Sequence, residues 1–273
     1  MKRVAVRGVE WNVWDEGAGA VLLLVHGFPL DHSMWAGQFE PFSTRHRVIA
    51  PDLRGFGASS ASDESVSMEQ FADDLAELLA ALKINEPVVF CGLSMGGYIA
   101  LQFVKKHADR LKALVLCDTR AAADTAEAAA NRLSMAQRVL NEGAEIAAAA
   151  MAPRLFGKQT AQQQPERVEK VRRVMLSTAP AAIAAAQRGM AARPEMTDYL
   201  PQISVPTLVV VGEEDPISPV AEMRQIAESI PGAQFAIISA AGHMAPLENP
   251  AAFNAELEKF LASATGSRTA TGF

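Results

Sequence analysis

The sequence predicts an α/β protein with a mainly parallel central sheet, helices on both of its faces and a block of helices inserted into it. Three observations carry this expectation. Short apolar runs at residues 21–25, 47–50, 87–91, 113–117, 207–211 and 235–238 alternate with helical patterns, the order that right-handed crossovers between parallel strands require. Residues 121–200 hold no convincing strand and are rich in alanine. Between these stretches, Phe90-Cys91-Gly92-Leu93-Ser94-Met95-Gly96-Gly97 runs from a buried strand into a helix through Gly-x-Ser-x-Gly, a corner that holds its central serine out of the backbone.

Each element has a local reason. Residues 4–14 alternate around Gly8, as a β-hairpin does. Val21-Leu22-Leu23-Leu24-Val25 is apolar throughout, like a strand covered on both faces. Residues 47–50 form a second short strand, ended by Pro51-Asp52. Ser67-x-x-Gln70 is a capping box, and its helix puts Phe71, Leu75, Leu78, Leu79 and Leu82 on one face. The elbow strand follows, then an amphipathic helix over 98–107 and a further buried strand at 113–117. In the alanine-rich stretch, Asp124-x-x-Glu127 caps a first helix, and Gly143, Pro153, Gly157, Pro165, Pro180 and Pro194 divide the remainder. Ser218-Pro219 and Asn249-Pro250 each pair an N-cap with a proline suited to the first helical position. The organisation expected is a core of residues 1–120 and 201–262, a helical cap of 121–200 and a disordered tail of 263–273.

Composition narrows the partners. With 273 residues the chain suits one large α/β domain or two small ones, and 49% apolar residues suffice for a core. A net charge of −6 leaves no basic footprint for nucleic acid or an anionic membrane. The N-terminal residues lack the apolar stretch of a signal peptide, so a cytoplasmic location is the expectation. Cys91 and Cys117 both lie in strand-like runs and read as buried, reduced thiols. His32, His46 and His107 lack metal-ligand spacing and no phosphate-binding loop is present, so neither metal nor cofactor is expected.

Ligands of open parallel sheets bind beyond the C-terminal ends of the strands. His26-Gly27-Phe28-Pro29, Ser94, Gly212-Glu213-Glu214-Asp215-Pro216 and Ala241-Gly242-His243-Met244 all follow strands. A loop, a hydroxyl, a carboxylate and an imidazole thus arrive in the order Ser…Asp…His. Together with Asp52-Leu53-Arg54-Gly55-Phe56-Gly57-Ala58-Ser59, these pieces give residues 21–261 a strong resemblance to the α/β-hydrolase family. The Gly-Leu-Ser-Met-Gly-Gly elbow and single helical insertion are similar to those of 3-oxoadipate enol-lactonases and their esterase and perhydrolase relatives.

The resemblance implies a serine hydrolase acting on a small carboxylic ester or lactone. Ser94 is then the nucleophile, His243 the base and Asp215 the acid that orients it. Backbone N–H groups of Phe28 and Met95 are the oxyanion donors, Phe28 on the strength of the resemblance alone. Asp118, directly after the strand at 113–117, competes with Asp215 for the acid's role; the position of Asp215 beyond the insertion favours Asp215. Asp52 and Arg54 read as a structural turn, and His26 as a support for the oxyanion loop. Arg132, Arg138, Arg154, Arg172 and Arg188 are candidate carboxylate binders or surface charges, and Met135, Met151, Met175, Met190 and Met196 are candidate pocket or packing residues. The same triad also serves perhydrolase (cofactor-free haloperoxidase) or C–C bond hydrolase chemistry, and a ligand receptor on a hydrolase scaffold is the reading from another class.

Overall fold

The computed structural model describes residues 1–60 and 64–265. Among them one eight-stranded sheet runs in the order β1-β2-β4-β3-β5-β6-β7-β8. Its strands are β1 (Lys2–Val6), β2 (Val9–Glu16), β3 (Val21–Val25), β4 (Arg47–Pro51), β5 (Val88–Leu93), β6 (Leu111–Cys117), β7 (Thr207–Gly212) and β8 (Gln234–Ile238). Only the β1–β2 and β2–β4 pairings are antiparallel. The first hairpin turns at Arg7 and Gly8, both at positive φ.

Period-two burial on both faces explains the continuous apolar runs. Leu23, Val25 and Phe90 face one core with Phe71 and Leu75 of α2 (Met68–Ala81) and Ile99 and Phe103 of α3 (Met95–Lys106). Leu22, Leu24 and Cys91 face the other with Phe39 of α1 (Ala36–Ser43). Cys91 and Cys117 are free, buried thiols with sulfurs 3.8 Å apart.

Five α-helices stand between β6 and β7: α4 (Ala126–Glu142), α5 (Glu145–Leu155), α6 (Lys158–Gln163), α7 (Pro165–Ser177) and α8 (Pro180–Ala191). They are hydrogen-bonded to the sheet's loops at several points. Val66 N–H donates to Ala185 O, and the Thr178 hydroxyl donates to Pro29 O at 3.2 Å. The chain closes with α9 (Val220–Ser229), α10 (Ala245–Glu248) and α11 (Pro250–Thr265). Among the described residues no helix is long and apolar enough to cross a membrane.

Several local expectations are corrected. Thr125, not Asp124, caps α4 by accepting from Ala128 N–H, because Asp124 is taken by Arg132 and Arg193. The helix after Ser94 starts at Met95 rather than Tyr98, since Ser94 O already accepts from Gly97 and Tyr98 N–H. Pro219 rather than Ser218 occupies the N-cap of α9. Pro153 sits inside the last turn of α5 instead of breaking it. The last helix runs through Thr265, into the tail expected to be disordered; the remainder of that tail, 266–273, lies outside the described residues. The turn at Asp52 and Arg54 is structural, as expected. Arg54 makes a two-pronged pair with buried Asp74 at 2.7 and 2.9 Å.

Asp52 ties this turn to β2 and to the segment after β3. Burial opposes its ionisation, but the His32 ring, Ala58 N–H, His32 N–H and the Asn12 amide outweigh burial and hold its pKa down to about 2. A carboxyl with a depressed folded pKa contributes stability above its ordinary value near 3.8, lost as pH falls through the folded one. Asp52→Asn is therefore expected to cost about 2 kcal/mol at pH 7 and distinctly less near pH 2, measured by urea unfolding at both pH values. A gap independent of pH contradicts this.

Candidate active site

Ser94 sits at the junction of β5 and α3 with φ 54° and ψ −112°. This is the left-handed region, disfavoured for a side chain with Cβ. Its neighbours make the corner possible. A Cβ on Gly92 would lie 2.2 Å from Gly96 O, and one on Gly96 would lie 2.4 Å from Val25 O. Helix, strand and the β3 loop therefore close backbone to backbone around the serine. Ser94 N–H donates to Cys117 O at 2.9 Å, and the Thr119 hydroxyl donates to Ser94 O at 2.8 Å.

The structure brings the expected hydroxyl, imidazole and carboxylate together. His243 Nδ1 lies 2.8 Å from Asp215 Oδ2, and His243 Nε2 lies 2.8 Å from Ser94 Oγ. An ionised carboxylate only accepts, so Nδ1 carries the proton and Nε2 of the neutral ring accepts from the Ser94 hydroxyl. Burial opposes ionisation of Asp215. The hydrogen bond from His243, with the Ile217 and Ser218 N–H groups, outweighs it and keeps the carboxyl below its ordinary pKa.

Phe28 follows β3 in a loop that passes close to Ser94, since a Cβ on Gly27 would lie 3.3 Å from Ser94 Cβ. The backbone N–H groups of Phe28 and Met95 have no hydrogen-bond partner among the described residues. His26 fixes this loop. Its Nδ1 lies 2.9 Å from Gly27 O and must donate, which leaves Nε2 to accept from Leu53 N–H at 3.0 Å. Complete burial lowers its pKa, consistent with that neutral tautomer.

A cavity of about 250 Å³ opens over Ser94 and His243, with Phe28, Tyr98 and Ile217 in its wall. Of the five candidate arginines only Arg132 and Arg154 line it, as do Met135, Met151 and Met190. Arg138 pairs with Glu142, Arg172 with Glu145, and Arg188 donates to Glu64 O. Met175 and Met196 are buried packing residues. No acidic side chain lines the cavity among the described residues. Arg132 and the buried Arg193 share one carboxylate, Asp124, so the surroundings carry excess positive charge. Asn131 and Gln187 also line the wall; their helical faces were not distinguishable in the sequence.

Two groups of possible metal ligands bring their atoms within 4.8 Å among the described residues: Asp31, His32, Asp52 and Asp118, Asp215, His243. In each, the imidazole Nδ1 is already hydrogen-bonded to a carboxylate of its group.

The family described as alpha/beta hydrolase fold matches residues 20–250. The chain belongs to the α/β-hydrolase family. Among solved structures, a thermophilic esterase from Thermogutta terrifontis, solved with malate bound, is 46% identical with a TM-score of 0.94, covering 96% of this chain and 98% of that one. The enol-lactonase of Burkholderia xenovorans LB400 is 30% identical with a TM-score of 0.89, covering 96% and 100%. By sequence, 3-oxoadipate enol-lactonase 2 of Acinetobacter baylyi is 30% identical over 226 residues, 83% of this chain and 82% of the relative.

Asp118, the competing acid, lies beside the hydrogen-bonded chain of Ser94, His243 and Asp215 but outside it. It is wholly buried, and its Oδ1 accepts from Gly212 N–H at 2.7 Å. Burial first, then the Asp215 charge, push its carboxyl well above the ordinary range. A carboxyl whose pKa is raised in the folded chain costs stability increasingly as pH rises above the ordinary carboxylate value. Asp118→Asn is expected to raise Tm more at pH 8 than at pH 4 and to retain most hydrolytic activity, whereas Asp215→Asn lowers kcat by about 10⁴-fold. Loss of activity in the Asp118 variant with survival in the Asp215 variant would reassign the acid.

Proposed function

We propose that the protein is a serine hydrolase of small carboxylic esters or lactones. The observation that carries this reading is the unbroken hydrogen-bonded chain from Ser94 Oγ through His243 to Asp215, with 2.8 Å at both links. In the proposed reaction Ser94 Oγ attacks the substrate carbonyl while His243 Nε2 takes its proton. The resulting oxyanion is held by the N–H groups of Phe28 and Met95, each donor lowering the barrier by about 3 kcal/mol. His243 returns the proton to the departing alcohol, leaving Ser94 acylated. Water, deprotonated by His243, then attacks the acyl carbon and releases the acid with Ser94 restored. With a lactone the alcohol and the acid remain one molecule.

The surroundings of the triad support a small substrate. A cavity of about 250 Å³ lies below the usual range for drug-sized ligands, roughly 300–1,000 Å³. The esterase and enol-lactonase relatives support the same substrate class. Residues 121–200 act as a cap in this reading, their helices closing the site over the core of 1–120 and 201–262. Arg154 has no ion pair or hydrogen bond among the described residues, and with Arg132 it favours substrates that carry an acid group away from the scissile bond. A receptor has no need of a hydroxyl hydrogen-bonded to a base, which favours the enzyme over that alternative.

Hydrolysis of short p-nitrophenyl esters, half-esters bearing a free carboxylate and small lactones tests the proposal. Wild-type protein is expected to turn over at least one of these series, half-esters faster than neutral esters of equal length, and Ser94→Ala to lose ~10⁴-fold or more of kcat while still folding. Undiminished turnover by the Ser94 variant would overturn it.

A further inference from the structure

Glu248 is a buried acid whose carboxylate forms no ion pair among the described residues; the neighbouring Arg167 guanidinium donates instead to its main-chain oxygen at 2.8 Å. It is 5% exposed, and its carboxylate is held almost wholly by backbone. Oε1 accepts from Gly242 N–H at 2.8 Å and from Met244 N–H at 3.2 Å, the residues on either side of His243. Oε2 accepts from Gly157 N–H at 2.8 Å, at the start of α6, and the Thr160 side chain of the same helix also bonds the carboxylate. A buried carboxylate without a countercharge is costly unless its lone pairs are filled, and here donors from two parts of the chain fill them.

The loops joined by Glu248 touch without side chains between them. A Cβ on Gly242 would lie 2.5 Å from Gly157 N, and one on Gly157 would lie 3.0 Å from Gly242 N. The loop of Asp215 meets the same turn, for Glu214 Oε2 accepts from Lys158 N–H at 2.7 Å. The start of α6 is therefore bonded from both the acid's loop and the base's loop. None of these groups lines the cavity over Ser94.

We infer that Glu248 is a positioning residue that sets the place of His243 and ties it to the inserted helices, so that the seating of α6 is read directly at the base. The inference rests on the role of His243 proposed above. Its carboxylate restrains both peptide neighbours of the imidazole, and a displacement of about 1 Å at a proton-transferring group costs up to 10²-fold in rate. Anchoring through Gly157 makes that restraint depend on the inserted helices being docked.

The test compares wild type, Glu248→Gln and Gly157→Ala. The amide in Glu248→Gln keeps the shape but aims N–H groups at one set of donors; the methyl in Gly157→Ala presses on Gly242 from the other side. Active sites are counted by labelling with a fluorophosphonate, and kcat and KM for a short p-nitrophenyl ester are expressed per labelled site. Both variants are expected to lower kcat per labelled site about 10- to 100-fold with KM nearly unchanged, and the double variant to lose less than the product of the two effects. Wild-type kcat per labelled site in both variants, with only Tm reduced, would overturn the inference and leave Glu248 a structural residue. If one variant fails to fold, the other carries the same kcat-against-KM reading. Wild-type protein inert to ester and fluorophosphonate alike would overturn the triad reading, and the inference with it.

Discussion

The corner at Ser94 is the constraint on which everything else in this molecule depends. A non-glycine residue at φ 54° stores strain of roughly 1–3 kcal/mol, and it persists only where the surroundings leave no alternative. Here they are over-determined. Gly92 meets the backbone of Gly96, Gly96 meets that of Val25, Cys117 O holds the serine N–H, and Thr119 holds its carbonyl. Because β3, β5 and β6 all contribute, the central strands cannot shift without releasing the serine. The same closeness brings the loop after β3, with Phe28, to the hydroxyl.

Three buried acids near His243 are differentiated by their partners rather than by their depth. Asp215 receives the imidazole N–H and two backbone N–H groups, and its carboxyl is held low. Asp118 receives a backbone N–H from Gly212 but faces the charge of Asp215, and its carboxyl is pushed high. Glu248 is filled by N–H groups on both sides of the base and by the inserted helices, yet burial still leaves its carboxyl above the ordinary value. One carboxylate is thus placed against the imidazole, and ionisation of its strongest competitor is opposed by that competitor's own site.

Much of this was legible in the sequence because it follows from local rules. Six short apolar runs marked strands of the parallel sheet, and the groups that follow β3, β5, β7 and β8 met at one end, as the topology of parallel sheets requires. What was not legible depends on partners distant in the chain. Asp124 had the pattern of an N-cap but was claimed by Arg193, 69 positions on, so the cap passed to Thr125. Arg132 and Arg154 resembled Arg138 and Arg172 until the packing of α4 and α5 aimed the first pair at the cavity. The segment of α1, between β3 and β4, carries a proline and a weak apolar stripe and gave no clear helical signal. Glu248 had none either, since its distant partner Gly157 lies 91 residues away.

The central claim is that Ser94 is made nucleophilic by His243. Intact-protein and peptide mass spectrometry after reaction with diisopropyl fluorophosphate tests it most directly, with His243→Ala alongside the wild-type protein. The expected result is one phosphoryl adduct per wild-type chain, located on the peptide containing Ser94, and no adduct on the His243 variant over the same interval. An adduct on another residue, or equal labelling of Ser94 without the imidazole, would contradict it.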